Sequence, residues 1–327
     1  MGINTKADEN LYCPCGLSTF LERKNFNIVT VKDSFSHGSR SRLTVFMNSH
    51  YLRRKLINLL ALGASFLSAA FGILFLVWIL KDVLSFGVGA LDVAFFTQLP
   101  TPPGETGGGL GNAIAGTALI TVIATAIGVP AGILAGTYLS EYGRGSKIAE
   151  AVRFLSEILV SAPSIVVGIF VYAIVVKPFG GFSALAGALA LAIIMLPVVI
   201  RTAEEMLKLV PDATREAALA LGAPHWKVTV FVVYRGALRG IITGVMLAVA
   251  RVAGETAPLL FTSFHNAFWS FKLNEPTATL TVGIFNYAMA PYEDWHAKAW
   301  GAAFLITALV LIVTVAARLI VAGRKGA

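Results

Sequence analysis

The feature that most constrains this chain is the absence of any charged side chain between Glu105 and Glu141. A bilayer core about 30 Å thick is crossed by about 20 apolar residues of helix, so this stretch exceeds one perpendicular crossing and predicts a helix that tilts or extends past the membrane. Pro130 within it predicts a kink. Only 13% of the 327 residues are charged, whereas soluble domains carry about 25%. The chain is therefore expected to be an integral membrane protein.

Six stretches are long and apolar enough to cross a membrane as helices. They lack the alternation of apolar and polar residues that is typical of β-barrel strands, so the expected fold is an all-α membrane protein with six transmembrane helices. The predicted spans are residues 56–80, 111–139, 155–177, 182–202, 238–263 and 300–321.

The distribution of lysine and arginine predicts how these helices are oriented. The amino-terminal tail carries nine such residues, the 140–154 loop three, the 201–239 region six and the carboxyl end three, whereas the intervening loops carry four. Because basic loops stay in the cytoplasm, both termini and the 201–239 region are expected on the cytoplasmic side of the cell membrane. The same segregation argues against a nucleic-acid-binding protein, although the net charge is +8.

The first 46 residues differ in character from the rest of the chain. Residues 1–46 are polar and aperiodic and lack the apolar content needed to form a core, so we expect a disordered, dispensable tail before a membrane domain of residues 47–327. Met47 directly precedes the basic lead-in to the first span. It is therefore an alternative start to Met1.

Motifs for catalysis and metal binding are lacking in the sequence. Cys13 and Cys15 offer two ligands where a structural zinc usually takes four, and the histidines share no ligand spacing. No Gly-x-x-x-x-Gly-Lys-Ser/Thr loop occurs, so ATP hydrolysis would require another chain. We expect no catalytic residue, no metal and no cofactor in this chain.

The region of residues 211–235 has helix boundaries within a predicted cytoplasmic loop. Asp212 or Thr214 can cap the amino end of a short helix. Gly222 can adopt the left-handed conformation that ends it. Pro224 then starts a second short helix.

One face of the first short helix is predicted to consist of small residues. Ala217, Ala218 and Leu221 occupy positions i, i+1 and i+4. Small side chains let another protein approach a helix closely, so this helix is a candidate docking element. A plain connector between two spans is the alternative.

The fifth predicted span carries two ionisable residues, Arg251 and Glu255, which lie four residues apart. That spacing predicts a charged pair on one helix face inside the membrane. Such residues are costly in hydrocarbon and usually belong to substrate paths. Arginine matches oxyanion geometry and stays charged, so the pair predicts contact with an anionic substrate; a structural ion pair is the alternative. Pro258 is expected to kink this helix, since it cannot donate to the carbonyl of Gly254.

Arg201 ends the fourth predicted span at the cytoplasmic boundary. It fits two roles, a contact for the anion on the exit side or an arginine that extends to the interface and helps to fix orientation. Both roles remain open from the residues alone.

Several segments resemble one family of transport proteins. Glu216-Ala217-Ala218, three residues and Gly222 are similar to the coupling motif of permease subunits in ABC importers. The chain departs from that motif at Tyr234-Arg235, where the family usually has Leu-Pro, a difference that concerns the bend after the second short helix. The segments that resemble permeases of phosphate importers are Leu196–Glu205, Ala250–Leu260, Gly108–Ile114 and Pro163–Val166. Within them, the run Gly254–Leu260 resembles the PstA-type subunit more than its PstC-type partner. The similarity covers about residues 50–322.

The resemblance implies a type I ABC importer permease fold and a set of partners. The partners are a homologous PstC-type permease, two cytoplasmic ATPase subunits and an external phosphate-binding protein. The implied location of the chain is the inner membrane. The resemblance also implies ATPase coupling by Glu216, Ala217, Ala218, Leu221 and Gly222, and a phosphate path past Arg251, Glu255 and Arg201. Arginine chemistry alone leaves a permease for molybdate or sulfate as an alternative. A membrane-embedded enzyme and a passive anion channel are further alternatives.

Overall fold

The computed structural model describes residues 49–105, 107–143 and 145–322. These residues form helices and connecting loops, without β-strands. In chain order the helices are α1 (Ser49–Gly89), α2 (Val93–Thr97), α3 (Gly111–Thr137), α4 (Lys147–Ser161), α5 (Ser164–Val171), α6 (Lys177–Phe179), α7 (Ala184–Lys208), α8 (Asp212–Ala220), α9 (His225–Val228), α10 (Tyr234–Ala253), α11 (Ala257–Leu260), α12 (Leu280–Ala288) and α13 (Glu293–Ala322). The turns that extend α3, α5 and α9 are π-helical and span Tyr138–Tyr142, Tyr172–Val176 and Thr229–Val233.

The chain divides into two compact units, residues 1–64 and 65–327. The described part of the first unit is the amino-terminal part of α1. The predictions for the tail of residues 1–46, for Met47 as a start and for Cys13 and Cys15 lie outside the described residues.

The prediction of an all-α membrane fold is confirmed. Within the described residues, five helices are long and apolar enough to cross a membrane, and a bent pair of helices supplies a sixth crossing if it is counted as one span. The five continuous spans are Arg53–Gly89, Gly111–Tyr142, Ala184–Lys208, His225–Ala253 and Glu293–Leu319. Helices satisfy their own backbone hydrogen bonds, which a lipid environment requires.

The third predicted span, residues 155–177, is wrong as a single straight helix. The structure has α4 and the segment Ser164–Phe179 meeting at an angle of 106°. Between them, Ala162 (ψ 134°) and Pro163 (ψ 133°) have extended backbone. The cause is local, because a proline disfavours the helical conformation of the residue before it and can start the next helix.

The fifth predicted span, residues 238–263, is wrong at both ends. At its start, the short helix after Pro224 continues through a π-helical turn into α10, so that helical structure runs from His225 to Ala253. At its end, α10 stops at Ala253 and Gly254 caps it. Pro258 lies in the first turn of the separate helix α11. The sequence correctly indicated a disturbance near Pro258, but the structure has a break four residues earlier and not a kink.

Helix α7 forms the centre of the bundle, and α3 packs closely along it. Of the most apolar stretch of 18 residues in α7, 61% is buried, whereas 22% or less is buried in the corresponding stretches of the other continuous spans. Gly132 and Gly136 of α3 face α7, and a Cβ atom built on either would lie 2.7 Å from the Cβ atom of Val199 or Ala203, respectively. Small residues at such positions allow helix backbones to approach closely in membranes. Helix α3 continues past Pro130 to Thr137.

Candidate functional site

Two helix breaks border one cavity of about 250 Å³. One is the bend between α4 and α5, and the other is the end of α10. Pro163 and Ser164 line the cavity from the first break, and Arg251 and Glu255 line it from the second. We call this cavity the break cavity; its remaining walls are Leu159, Val160, Ala162, Val167, Ile194 and Val198.

Arg251 and Glu255 form a loose ion pair in the break cavity. Arg251 Nε lies 3.9 Å from Glu255 Oε1, which exceeds hydrogen-bond distance. The side chain of Arg251 is 58% exposed and that of Glu255 is 19% exposed. Because α10 ends at Ala253, Glu255 lies beyond the helix, and the prediction that both residues share one helix face is wrong. The chain turns at Gly254 and returns the carboxylate towards the guanidinium.

Close contacts brace the backbone around the break cavity. A Cβ atom on Gly168 of α5 would lie 2.6 Å from the Cα atom of Pro258, so α5 and α11 pack backbone against backbone. The hydroxyl of Thr281 donates to the carbonyl of Glu255 at 3.0 Å. The buried hydroxyl of Thr262 donates to the carbonyl of Pro258 at 2.8 Å. The two breaks are therefore held in place by packing and by hydrogen bonds.

A second cavity of about 230 Å³ adjoins the break cavity. Val160 of α4 lines both of them. The charged residues around this second cavity, which we call the charge-pair cavity, are Arg153, Glu157, Arg201, Glu204, Glu205 and Lys208. The two cavities thus follow one another along α4.

Arg201 belongs to the charge-pair cavity and makes an exposed ion pair. Its Nε donates to Glu205 Oε1 at 2.8 Å, and the two side chains are 69% and 55% exposed. The side chain of Glu204, the residue before Glu205, is only 10% exposed. It accepts hydrogen bonds from Arg153 Nε at 2.8 Å and from Lys208 Nζ at 2.6 Å. Sequence reasoning missed the Arg153–Glu204 pair, because 51 residues separate its members.

Helix α8 has the predicted extent, but its amino end differs from the prediction. Pro211 is the capping position and no side chain caps the helix, so the prediction of Asp212 or Thr214 as the cap is wrong. At the other end, Gly222 has φ +82°, which confirms the left-handed conformation predicted for it. Pro224 precedes α9, as predicted.

The prediction that Ala217, Ala218 and Leu221 share one face of α8 is only half right. Ala217 and Glu216 are exposed, and the side chain of Leu221, just after the helix, is 89% exposed. Ala218 is half-buried and packs against the apolar cluster that includes Leu207. Neighbouring residues point about 100° apart on a helix with 3.6 residues per turn, which separates Ala218 from Ala217.

The sequence is similar to a family of transport proteins and to several of its curated members. Residues 128–326 match the family described as the binding-protein-dependent transport system inner membrane component. The phosphate transport system permease protein PstA of Yersinia pestis is 51% identical over 272 residues, which are 83% of this chain and 92% of that relative. The protein of the same name from Pasteurella multocida is 50% identical over 83% of this chain and 97% of its own length. The permease protein PstA 1 of Mycobacterium tuberculosis is 35% identical over 82% of this chain and 89% of its own length.

A solved structure shares the fold. The chain is similar to a subunit of the inward-facing MetNI methionine ABC transporter, with a TM-score of 0.51 and 20% identity, over 64% of this chain and 92% of that subunit. This similarity confirms the type I importer fold that the sequence resemblance implies. The chain therefore belongs to the binding-protein-dependent transport system inner membrane component family and, within it, to the PstA-type ABC transporter permeases.

Proposed function

We propose that this chain is the permease subunit of an ATP-driven phosphate importer and forms half of the transmembrane path for inorganic phosphate. Its relatives at about 50% identity carry the name of phosphate transport system permeases. The observation that carries the proposal is the break cavity, where Arg251 stands between two interrupted helices. As a member of a permease family, the chain is a non-enzymatic, multi-pass membrane component of a transporter.

The break cavity has the chemistry that an anion needs to cross a membrane. Phosphate cannot enter about 30 Å of hydrocarbon without compensating charge, and Arg251 supplies a permanent charge with donors in a planar fork. Ser164 begins α5 at this cavity, and the first amide groups of interrupted membrane helices attract anions. Glu255, at 3.9 Å, neutralises Arg251 between cycles without a hydrogen bond that the substrate would have to break.

Arg201 is proposed to line the exit side of the same path. The charge-pair cavity follows the break cavity along α4 and shares Val160 with it. The guanidinium of Arg201 already donates to Glu205 at 2.8 Å. An anion would have to displace that hydrogen bond, so Arg201 is expected to contribute less to transport than Arg251 does.

The complete transporter is proposed to contain a homologous PstC-type permease, two cytoplasmic ATPase subunits and an external phosphate-binding protein. The family description names both a binding protein and an inner membrane component. The 58% exposure of Arg251 in the isolated chain supports a path that a second permease completes. The basic loops favour cytoplasmic termini in the inner membrane, with α8 on the ATPase side.

Phosphate uptake by the reconstituted complex tests the proposed function. Proteoliposomes that contain the complex are expected to accumulate labelled phosphate only when ATP and the binding protein are present. Sulfate and molybdate, supplied as competitors, are expected to leave this uptake unchanged. Uptake without ATP would indicate a passive channel, and competition by either oxyanion with equal potency would contradict phosphate as the substrate.

The exposed face of α8 is proposed to dock on an ATPase subunit. We expect Ala217→Trp to prevent the ATPase from co-purifying, because a large side chain on this face holds the partner away. Since Ala217 is exposed, the thermal stability of the isolated chain should not change. Ala218→Trp should instead lower the thermal stability of the isolated chain, because overpacking of the apolar cluster beneath α8 costs about 1–3 kcal/mol.

The comparison of these two variants separates docking from folding. Co-purification with the ATPase and the melting temperature of the isolated chain are measured for each. Normal recovery of the ATPase with Ala217→Trp, together with normal substrate-stimulated hydrolysis, would show that α8 is a plain connector.

A further inference from the structure

The guanidinium of Arg215 on α8 is enclosed by acceptors. It donates to Glu141 from Nε and Nη2, to the carbonyls of Leu207 and Val210 from Nη2 and Nη1, and to Asp212 from Nη1. These contacts number five, as many as the N–H groups that an arginine can donate. The side chain is only 12% exposed. A side chain held in this way has a defined position relative to each element that it contacts.

One of these acceptors lies in the last turn of α7, and another lies just after the helix. Nη2 of Arg215 lies 2.8 Å from the carbonyl of Leu207, and Nη1 donates to the carbonyl of Val210 just beyond the helix. Carbonyls in the last turn of a helix have no partner within it, so they accept hydrogen bonds from elsewhere. Arg215 therefore attaches α8 to the carboxyl end of the central helix.

Arg215 also contacts the extension of α3, through Glu141. Glu141 lies in the π-helical turn that extends α3, and its side chain is 10% exposed. Its two carboxylate oxygens accept from Arg215 at 3.0 Å and 3.3 Å, the two-bond geometry that arginine favours with carboxylates. Residues 141 and 215 are 74 positions apart in the sequence, so this contact exists only in the folded chain.

Helices α3 and α7 carry these attachments on to the break cavity. They interlock along Gly132 and Gly136, where the backbones are too close for a Cβ atom. Helix α7 then lines the break cavity with Ile194 and Val198. Helix α7 thus connects the contacts of Arg215 with the wall of the break cavity, and packed helices move as units between discrete arrangements.

We propose that Arg215, through Glu141, is a positioning residue that transmits movement of α8 to the α3–α7 pair and so couples ATP hydrolysis to phosphate release from the break cavity. The proposal rests on the proposed function, since it needs an ATPase at α8 and an anion in the cavity. A purely structural role would leave the amount of phosphate imported per ATP unchanged in the assembled complex. The proposed role requires that this amount falls when the contact between Arg215 and Glu141 is broken.

The test measures phosphate imported and ATP hydrolysed in proteoliposomes that contain the whole complex. Glu141→Gln removes the charge that links Arg215 to α3 and leaves Arg215 free to donate to the α7 carbonyls. We expect the assembled complex to hydrolyse ATP while the phosphate imported per ATP falls about tenfold, within the range of typical coupling between sites. Arg215→Gln should lower this ratio at least as much. The ratio for Arg215→Lys should lie between those of the wild type and Arg215→Gln, because a lysine keeps the charge but cannot make the two-bond contact.

A matched arginine on α10 serves as the control. Arg239 is exposed, and Arg239→Gln should leave the ratio unchanged. A wild-type ratio in assembled Glu141→Gln and Arg215→Gln complexes would overturn the proposal. Loss of assembly in all three variants would also overturn it, because the pair would then serve only to hold the fold. Failure of the wild-type complex to import phosphate would instead contradict the proposed function.

Discussion

Replacement of Arg251 by glutamine is expected to abolish phosphate uptake while the complex still assembles and hydrolyses ATP. The guanidinium offers an anion two hydrogen bonds from a charged donor, each worth about 1.5–3 kcal/mol, so uptake should fall by about 100-fold or more. Arg251→Lys should retain part of the activity, because an ammonium keeps the charge but not the planar fork. Uptake of labelled phosphate and recovery of the complete complex are measured for both variants.

A double variant separates the substrate contact from a structural ion pair. If Arg251 served only to balance Glu255, Arg251→Gln would leave that carboxylate without its partner. The double change Arg251→Gln with Glu255→Gln would then restore assembly and uptake, since removal of both charges of a pair is often nearly neutral. We expect the double variant to assemble and to remain inactive. Restored uptake would rule out contact between Arg251 and phosphate.

The substitution Gly136→Ala is expected to destabilise the chain by about 1–3 kcal/mol through overpacking. A Cβ atom at this position would lie 2.7 Å from both the Cβ atom of Ala203 and the carbonyl oxygen of Ile200. The α3–α7 interface would have to open to accept it, and less folded protein should accumulate in the membrane. The melting temperature of the purified chain in detergent measures the effect.

A second glycine provides the control for this prediction. Gly72 of α1 would have nothing within 4 Å of an added Cβ atom. Gly72→Ala changes helix propensity in the same direction as Gly136→Ala, in favour of the helix. It should therefore leave the melting temperature unchanged or raise it slightly. Equal melting temperatures for the two variants would show that the close approach of α3 and α7 does not limit stability.

Hydrophobicity and charge alone indicated most of the architecture. The stretch without charge between Glu105 and Glu141 predicted α3, and the apolar run before Arg201 predicted α7. These predictions succeed because insertion into a membrane depends on local composition, summed over about 20 residues. The pair Arg251 and Glu255 stood out for the same reason, since an ionisable residue within an apolar run is rare.

The positions and kinds of the helix breaks were harder to predict from the sequence. Pro163 and Pro258 were visible in it, and yet one marks a 106° bend and the other follows a break that occurs at Gly254. A proline disturbs a helix in several ways, which include a kink, an end and a new start. Contacts from other elements select among these outcomes. Gly168 against Pro258 is such a contact, and neither residue alone predicts it.

Length, apolar runs and the placement of lysine and arginine were thus enough to indicate a multi-pass helical membrane protein with a charged pair within one span. The permease family came from the resemblance of particular segments to known transport proteins. The tertiary structure alone decided that Glu255 approaches Arg251 from beyond the helix end, that Ala218 points inward, and that Arg215 reaches Glu141. The physical reason is the range of the interactions. Partition into the bilayer depends on the composition of about 20 neighbouring residues, whereas an ion pair between residues 74 positions apart depends on how the helices between them pack.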